Sequence, residues 1–73
     1  MKIELYTWSS CPFCVRAKAL LVEKNLEFTE YDMDSKPAEL AEAKQKYGHP
    51  SVPIVLFDGE LVGGFTELAA RLG

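Results

Sequence analysis

Lys2-Ile3-Glu4-Leu5-Tyr6-Thr7-Trp8-Ser9-Ser10-Cys11-Pro12-Phe13-Cys14 is the stretch from which the fold unfolds. Lys2 to Thr7 is strand-like, and Pro12 suits the first position of a helix, where its missing N–H leaves nothing unpaired. Phe13 to Lys24 then contains good helix formers throughout. The only two cysteines of the chain therefore stand one helical turn apart, Cys11 at the helix N-terminus and Cys14 inside the first turn. Val15, Ala19, Val22 and Leu26 recur at helical spacing, and Leu20 and Leu21 widen that apolar face, which predicts a helix packed on a sheet. Asn25 is a suitable stop.

Outward from this stretch, Glu27 to Asp32 reads as a second strand carrying Phe28 and Tyr31. Ser35 and Pro37 open a second helix that runs to Tyr47 and ends at Gly48. Leu40, Ala43 and Tyr47 form its narrow buried stripe, and Glu42 and Lys46, four apart, are placed to pair. Pro53 to Phe57 and Glu60 to Val62 flank Asp58-Gly59, a strong signal for a two-residue hairpin turn. Gly63-Gly64 breaks the strand, and Thr66 is placed to cap a last helix over Glu67 to Leu72. The order β-α-β-α-β-β-α predicts an α/β fold with a central four-stranded mixed sheet flanked by three helices.

The chain of 73 residues is expected to form a single domain, 1–73, without repeats, linkers or low-complexity tracts. With 48% hydrophobic and 26% charged residues it has the composition of a globular protein. Eight Lys and Arg are scattered among eleven acids, so no basic stripe exists for nucleic acid. No apolar run approaches the roughly 18 residues that span a bilayer, and the N-terminus opens on a strand pattern. A soluble, cytoplasmic protein is expected. The two cysteines would make a weak staple, because closing a loop of two intervening residues removes little unfolded-state entropy. In such a chain Cys-X-X-Cys reads as catalytic or metal-binding before it reads as structural.

Three ordered motifs, spread over essentially the whole chain, resemble the glutaredoxin family. They are Cys11-Pro12-Phe13-Cys14-Val15-Arg16-Ala17-Lys18 after a Tyr6-Thr7 strand end, Ser51-Val52-Pro53 before the third strand, and Gly63-Gly64 before the last helix. Phe13 stands where this family usually has Tyr, and the second cysteine makes the chain similar to its dithiol members. The resemblance implies a thioredoxin-like fold. It also implies a glutathione-dependent thiol-disulfide oxidoreductase that reduces protein disulfides and glutathione mixed disulfides, a monomer with glutathione as co-substrate and no tightly bound cofactor or metal.

Only the deprotonated sulfur is a competent nucleophile. At Cys11 the unpaired N–H groups and the positive end of the helix dipole favour the anion, whereas Cys14, inside the first turn, is expected to be less exposed and more fully protonated. Cys11 is therefore assigned as nucleophile and Cys14 as resolving thiol. Lys18 adds positive potential at most, and a solvated helix lysine is its plainer reading. The resemblance places glutathione in a groove formed by Phe13, Val52, Pro53, Gly64, Phe65 and Thr66. Val52 would pair with its cysteinyl backbone, Pro53 would follow a cis bond, and the N–H groups of Phe65 and Thr66 would meet the γ-glutamyl carboxylate.

Several positions depart from the family pattern. Trp8 replaces a Lys or Arg that in many members approaches the glycyl carboxylate; it reads either as an aromatic wall of the site or as a shield for the core rim. Leu40 aligns with an often polar or basic position, and Thr66 with a common Asp that meets the glutathione amine. Lys44 and His49 are candidates for the missing charge, although each reads more simply as a surface residue. These departures keep two alternatives in view. One is a glutaredoxin-like redoxin reduced by thioredoxin reductase and feeding ribonucleotide reductase, which Gly64-Phe65 faintly matches. The other is a metal or iron-sulfur cluster-binding protein, for which one Cys-X-X-Cys supplies two ligands only.

Overall fold

β1 (Ile3–Thr7) buries alternate residues, Ile3, Leu5 and Thr7, and leaves Glu4 and Tyr6 half-buried on its other side, the period of two that a pleated strand imposes. In the computed structural model, which describes residues 1–73, β1 is followed by α1 (Pro12–Glu23), β2 (Thr29–Asp32), α2 (Pro37–Tyr47), β3 (Ile54–Phe57), β4 (Glu60–Gly63) and α3 (Phe65–Leu72). The order is the expected one. The four strands form one sheet in the spatial order β2-β1-β3-β4. β1 runs parallel to β2, as the α1 crossover requires, and antiparallel to β3, which pairs antiparallel with β4. The β3–β4 turn has φ of 53° at Asp58 and 82° at Gly59, the positive pair that a tight two-residue hairpin demands.

Two apolar clusters sandwich the sheet. On one face Ile3, Leu5, Val55 and Phe57 pack with Ala17 and Leu21 of α1 and Leu68 of α3. On the other, Ile54 and Leu56 pack with Met33 and with Leu40 and Ala43 of α2. β3 is buried along its whole length because it contributes to both faces. Each fully buried leucine stabilises the fold by roughly 1.5–3 kcal/mol, so these two layers hold the strand ends that carry the site.

The structure corrects the sequence reading of several elements. The buried stripe of α1 is Cys14, Ala17 and Leu21, while Val15, Ala19 and Val22 face solvent. Both sets have helical spacing; Cys11, fixed as N-cap, sets the rotation that turns Cys14 inward. β2 begins at Thr29, two residues later than expected, because only Thr29 to Asp32 lie in register with Glu4 to Thr7. Glu42 and Lys46 form no ion pair; the Lys46 ammonium instead lies 5.2 Å from the Tyr47 ring centroid. α3 starts at Phe65, not Glu67. Its N-cap is Gly64, not Thr66, and the Glu67 carboxylate accepts the Gly64 N–H at 2.7 Å, the half of a capping box that a glycine cap leaves available. Elsewhere the expected stops hold. Asn25 has φ of 58°, with the Leu26 N–H donating to the Leu21 carbonyl, and α2 ends at a left-handed Gly48, with the His49 N–H donating to the Lys44 carbonyl.

Candidate functional site

Cys11 is the N-cap of α1, in extended backbone, with Pro12 in the first turn. Its Sγ accepts the Cys14 N–H at 3.2 Å, a donor that the helix itself leaves unpaired. The Cys11 thiol also lies 3.6 Å from the Val52 carbonyl, and the Cys11 N–H donates to the Trp8 carbonyl at 3.2 Å. The sulfur is thus held between the helix start and the segment before β3 while remaining partly exposed.

Cys14 differs in every respect. It is 1% exposed, and burial, followed by its hydrogen bond with the Cys11 sulfur, pushes its thiol up to about 12; the Trp8 backbone and Lys18 oppose this only in part. One thiol is reachable and receives a backbone donor, and the other is buried and protonated at neutral pH. Lys18 remains partly solvated, as its plainer reading has it, and pairs with a neighbouring strand. Its ammonium lies 2.9 Å from Glu30 Oε2, the same oxygen that accepts the hydroxyl of buried Thr7 at 2.6 Å. The Thr7 bond and then Lys18 hold the Glu30 carboxyl below its ordinary range.

Beside Cys11 lies a groove whose lining includes Phe13, Val52, Pro53, Gly64, Phe65 and Thr66, all six residues expected there. The Val52-Pro53 bond is cis. The Phe13 and Phe65 rings face each other across 6.2 Å, and the Arg16 guanidinium lies 5.4 Å from the Phe13 centroid. Three more residues complete the lining: His49, Ser51 and Glu67. The simpler reading of His49 as a surface residue is corrected. It is half-buried, and its Nδ1 meets the Ser51 carbonyl at 2.7 Å, because the turn at Gly48 swings the chain back toward the sheet. Glu67 carried a sequence signal that went unread, an acid three residues after a possible cap.

Trp8 does not line this groove; half-buried, it packs with the Met33 and Leu40 cluster and shields the core rim. Leu40 is core, 5% exposed, and Lys44 lies away from the groove. No group of three His, Cys, Asp or Glu side chains is clustered to hold a metal ion, and no helix is long and apolar enough to cross a membrane.

Comparison with known proteins places this geometry among relatives. The family model Glutaredoxin matches residues 3–62. A probable glutaredoxin of Synechocystis is 46% identical over 73 residues, covering 99% of this chain and 83% of its own. Glutaredoxin 3 of Escherichia coli K12 is 38% identical over 68 residues, covering 93% of this chain and 82% of its own. The solution structure of a glutaredoxin from Brucella melitensis superposes with a TM-score of 0.84 at 36% identity, covering 99% of this chain and 78% of that one.

Proposed function

The chain belongs to the glutaredoxin family and is a thiol-disulfide oxidoreductase, and from that premise we propose that glutathione is its reductant, with glutathionylated proteins and protein disulfides as substrates. The observation that carries this reading is the groove: its six expected residues converge beside the one reachable sulfur, Cys11, which the Cys14 N–H already holds at 3.2 Å.

Cys11, as thiolate, attacks the glutathionyl sulfur of a mixed disulfide. A new S–S bond forms as the old one breaks, and the substrate sulfur leaves as a thiolate and takes up a proton. A second glutathione thiolate then attacks the same glutathionyl sulfur, releasing glutathione disulfide and restoring Cys11. With a protein disulfide, the first attack leaves a Cys11–protein mixed disulfide. The Cys14 sulfur attacks Cys11, frees the protein and leaves a Cys11–Cys14 disulfide for glutathione to reduce. The Phe65 and Thr66 N–H groups, at the start of α3, are the donors proposed for the γ-glutamyl carboxylate. No resident cofactor enters this scheme, and a monomer in the cytoplasm, without nucleic acid or membrane as partner, is part of the same proposal.

The test is the hydroxyethyl disulfide assay coupled to glutathione reductase, run beside one coupled to thioredoxin reductase. Cys11→Ser is expected to abolish activity, and Cys14→Ser to retain deglutathionylation while losing dithiol reduction. Rapid turnover only with thioredoxin reductase would overturn glutathione as the reductant. Full activity in Cys11→Ser would overturn the assignment of roles.

A further inference from the structure

The largest hollow on the molecule is not the groove beside Cys11. A cleft of about 370 Å³ opens on the other face of the sheet, between β1 and α2, lined by Tyr6, Glu39, Glu42, Ala43, Lys46 and Tyr47. It shares no residue with the groove, which encloses about 160 Å³. Its walls are aromatic: the Tyr6 ring centroid lies 5.1 Å from that of Tyr31 and 6.4 Å from that of Tyr47, so three phenol rings run across β2, β1 and α2. The negative charge of the cleft is unequally held. Glu39 Oε2 lies 4.0 Å from the Lys36 ammonium, whereas Glu42 forms no ion pair. Lys46 follows Glu42 by four residues, the order and spacing that favour a helical ion pair, yet its ammonium lies 5.2 Å from the Tyr47 centroid. The cleft thus seats a cation on a ring and keeps an unpaired carboxylate beside it.

We propose that this cleft is a docking site for an arginine side chain of a partner protein. A guanidinium is planar, so it stacks on a phenol face and also meets a carboxylate through two parallel N–H donors. Tyr6 and Tyr47 supply the faces, and Glu42 supplies the acceptor. A lysine ammonium is a point charge without that fork; Lys46 takes the ring and leaves the carboxylate. The arginine belongs to a polypeptide and not to the free amino acid, because a free α-carboxylate would stand beside Glu39 and Glu42 as a like charge. Within a peptide that charge is gone. Lys46 is the built-in competitor, since an incoming guanidinium shares the cleft with its ammonium. The inference does not rest on glutathione being the reductant, because no cleft residue lines the groove.

The test is titration of the ¹⁵N-labelled, reduced protein at pH 7.5 and low ionic strength, where exposed charges are least screened, followed by amide chemical shifts. The probes are N-acetyl-arginine amide, its neutral counterpart N-acetyl-citrulline amide, and free arginine. The first is expected to give saturable shifts centred on Tyr6, Glu42, Lys46 and Tyr47, the second none, and the third a weaker Kd than the first. One exposed ion pair or cation–π contact corresponds to roughly a two- to fivefold change in Kd. Glu42→Gln and Tyr47→Leu are each expected to weaken binding of N-acetyl-arginine amide by that factor, and Lys46→Met to strengthen it by the same factor. Glu42 and Lys46 are exposed, so these two substitutions leave the core untouched. Glu23→Gln and Lys24→Met make the same charge changes at the exposed end of α1 and are expected to leave Kd unchanged. Equal binding of the citrulline probe, shifts centred elsewhere on the surface, or no effect of Glu42→Gln would overturn the proposal. Free arginine binding as tightly as the amide would overturn the polypeptide source. A strengthening by Lys24→Met equal to that by Lys46→Met would reduce the effect to net charge and overturn the site.

Discussion

Alkylation of the two cysteines in the reduced protein tests the inequality on which the chemistry depends. Cys14 is 1% exposed, and burial together with its hydrogen bond to Cys11 pushes its thiol up to about 12. At pH 8 a thiol near 12 is ionised to about one part in 10⁴, whereas an ordinary cysteine at about 8.5 is roughly one quarter ionised. Iodoacetamide reacts with the thiolate, so ionisation alone slows Cys14 on the order of 10³-fold relative to the same residue in the unfolded chain. Limited access of the reagent slows it further. The measurement is a time course at pH 8 in buffer and in guanidinium chloride, with the label located by fragment-ion mass spectrometry, because Cys11 and Cys14 share one tryptic peptide. The expected pattern is early labelling of Cys11 in the folded protein, with Cys14 labelled only as the chain unfolds. A folded-state Cys14 rate within tenfold of its unfolded rate would refute the assignment of a buried, protonated resolving thiol.

Three further outcomes follow from the packing and the charges. Leu21, fully buried between α1 and the sheet, should cost about 2–5 kcal/mol when replaced by Ala, read as a lowered urea midpoint with unchanged slope; a change within 0.5 kcal/mol would contradict the cluster. Gly63→Ala meets two obstacles, a φ of 131° that a side chain resists and a Cβ only 2.6 Å from Glu67 Cγ. It should destabilise by roughly 1–2 kcal/mol in thermal unfolding through strain and displacement of Glu67 from the Gly64 N–H. Glu30 is held below its ordinary range by the Thr7 hydroxyl and then by Lys18. The folded state thus binds fewer protons than the unfolded one in the acid range, and the stability this contributes is present near neutrality and lost as pH falls through the folded value. Glu30→Gln should therefore show a shallower fall in urea midpoint between pH 7 and pH 3 than the parent, and an identical fall would remove Glu30 from the acid response.

What could be read from the sequence was whatever local chemistry decides. Pro12 opens a helix, and Asn25 and Gly48 close the first two helices, because the relevant φ and N–H constraints lie within the segment itself. Asp58-Gly59 fixes a hairpin for the same reason. The groove residues were legible only through three motifs far apart in the chain, since no local rule brings Phe13, Val52 and Phe65 together. The failures arose where two patterns of equal periodicity competed. Val15, Ala19 and Val22 are as apolar and as regularly spaced as Cys14, Ala17 and Leu21, and only the rotation imposed by the Cys11 cap decides between them. Thr66 looked like a cap because its side chain can accept, but the chain leaves β4 at Gly63, so the helix starts two residues earlier than a Thr66 cap requires, with Gly64 as its cap. His49 looked like surface because its position depends on how the end of α2 returns to β3, which is tertiary information.

The same cap rotation explains why two chemically identical side chains three residues apart behave differently. A helix that begins at Pro12 places Cys11 outside the first turn, where its sulfur can take the Cys14 N–H and still meet a substrate. It places Cys14 one turn later on the stripe that packs against the sheet, in line with Ala17 and Leu21. The hydrogen bond that helps hold the first sulfur therefore comes from the backbone of the residue whose own thiol the core keeps protonated. Shifting the helix start by one residue would rotate every side chain by about 100°. That would take the Cys14 thiol off the buried stripe and carry Val15 toward it, so the division of labour between the two sulfurs depends on where Pro12 begins the helix as well as on the Cys-X-X-Cys spacing.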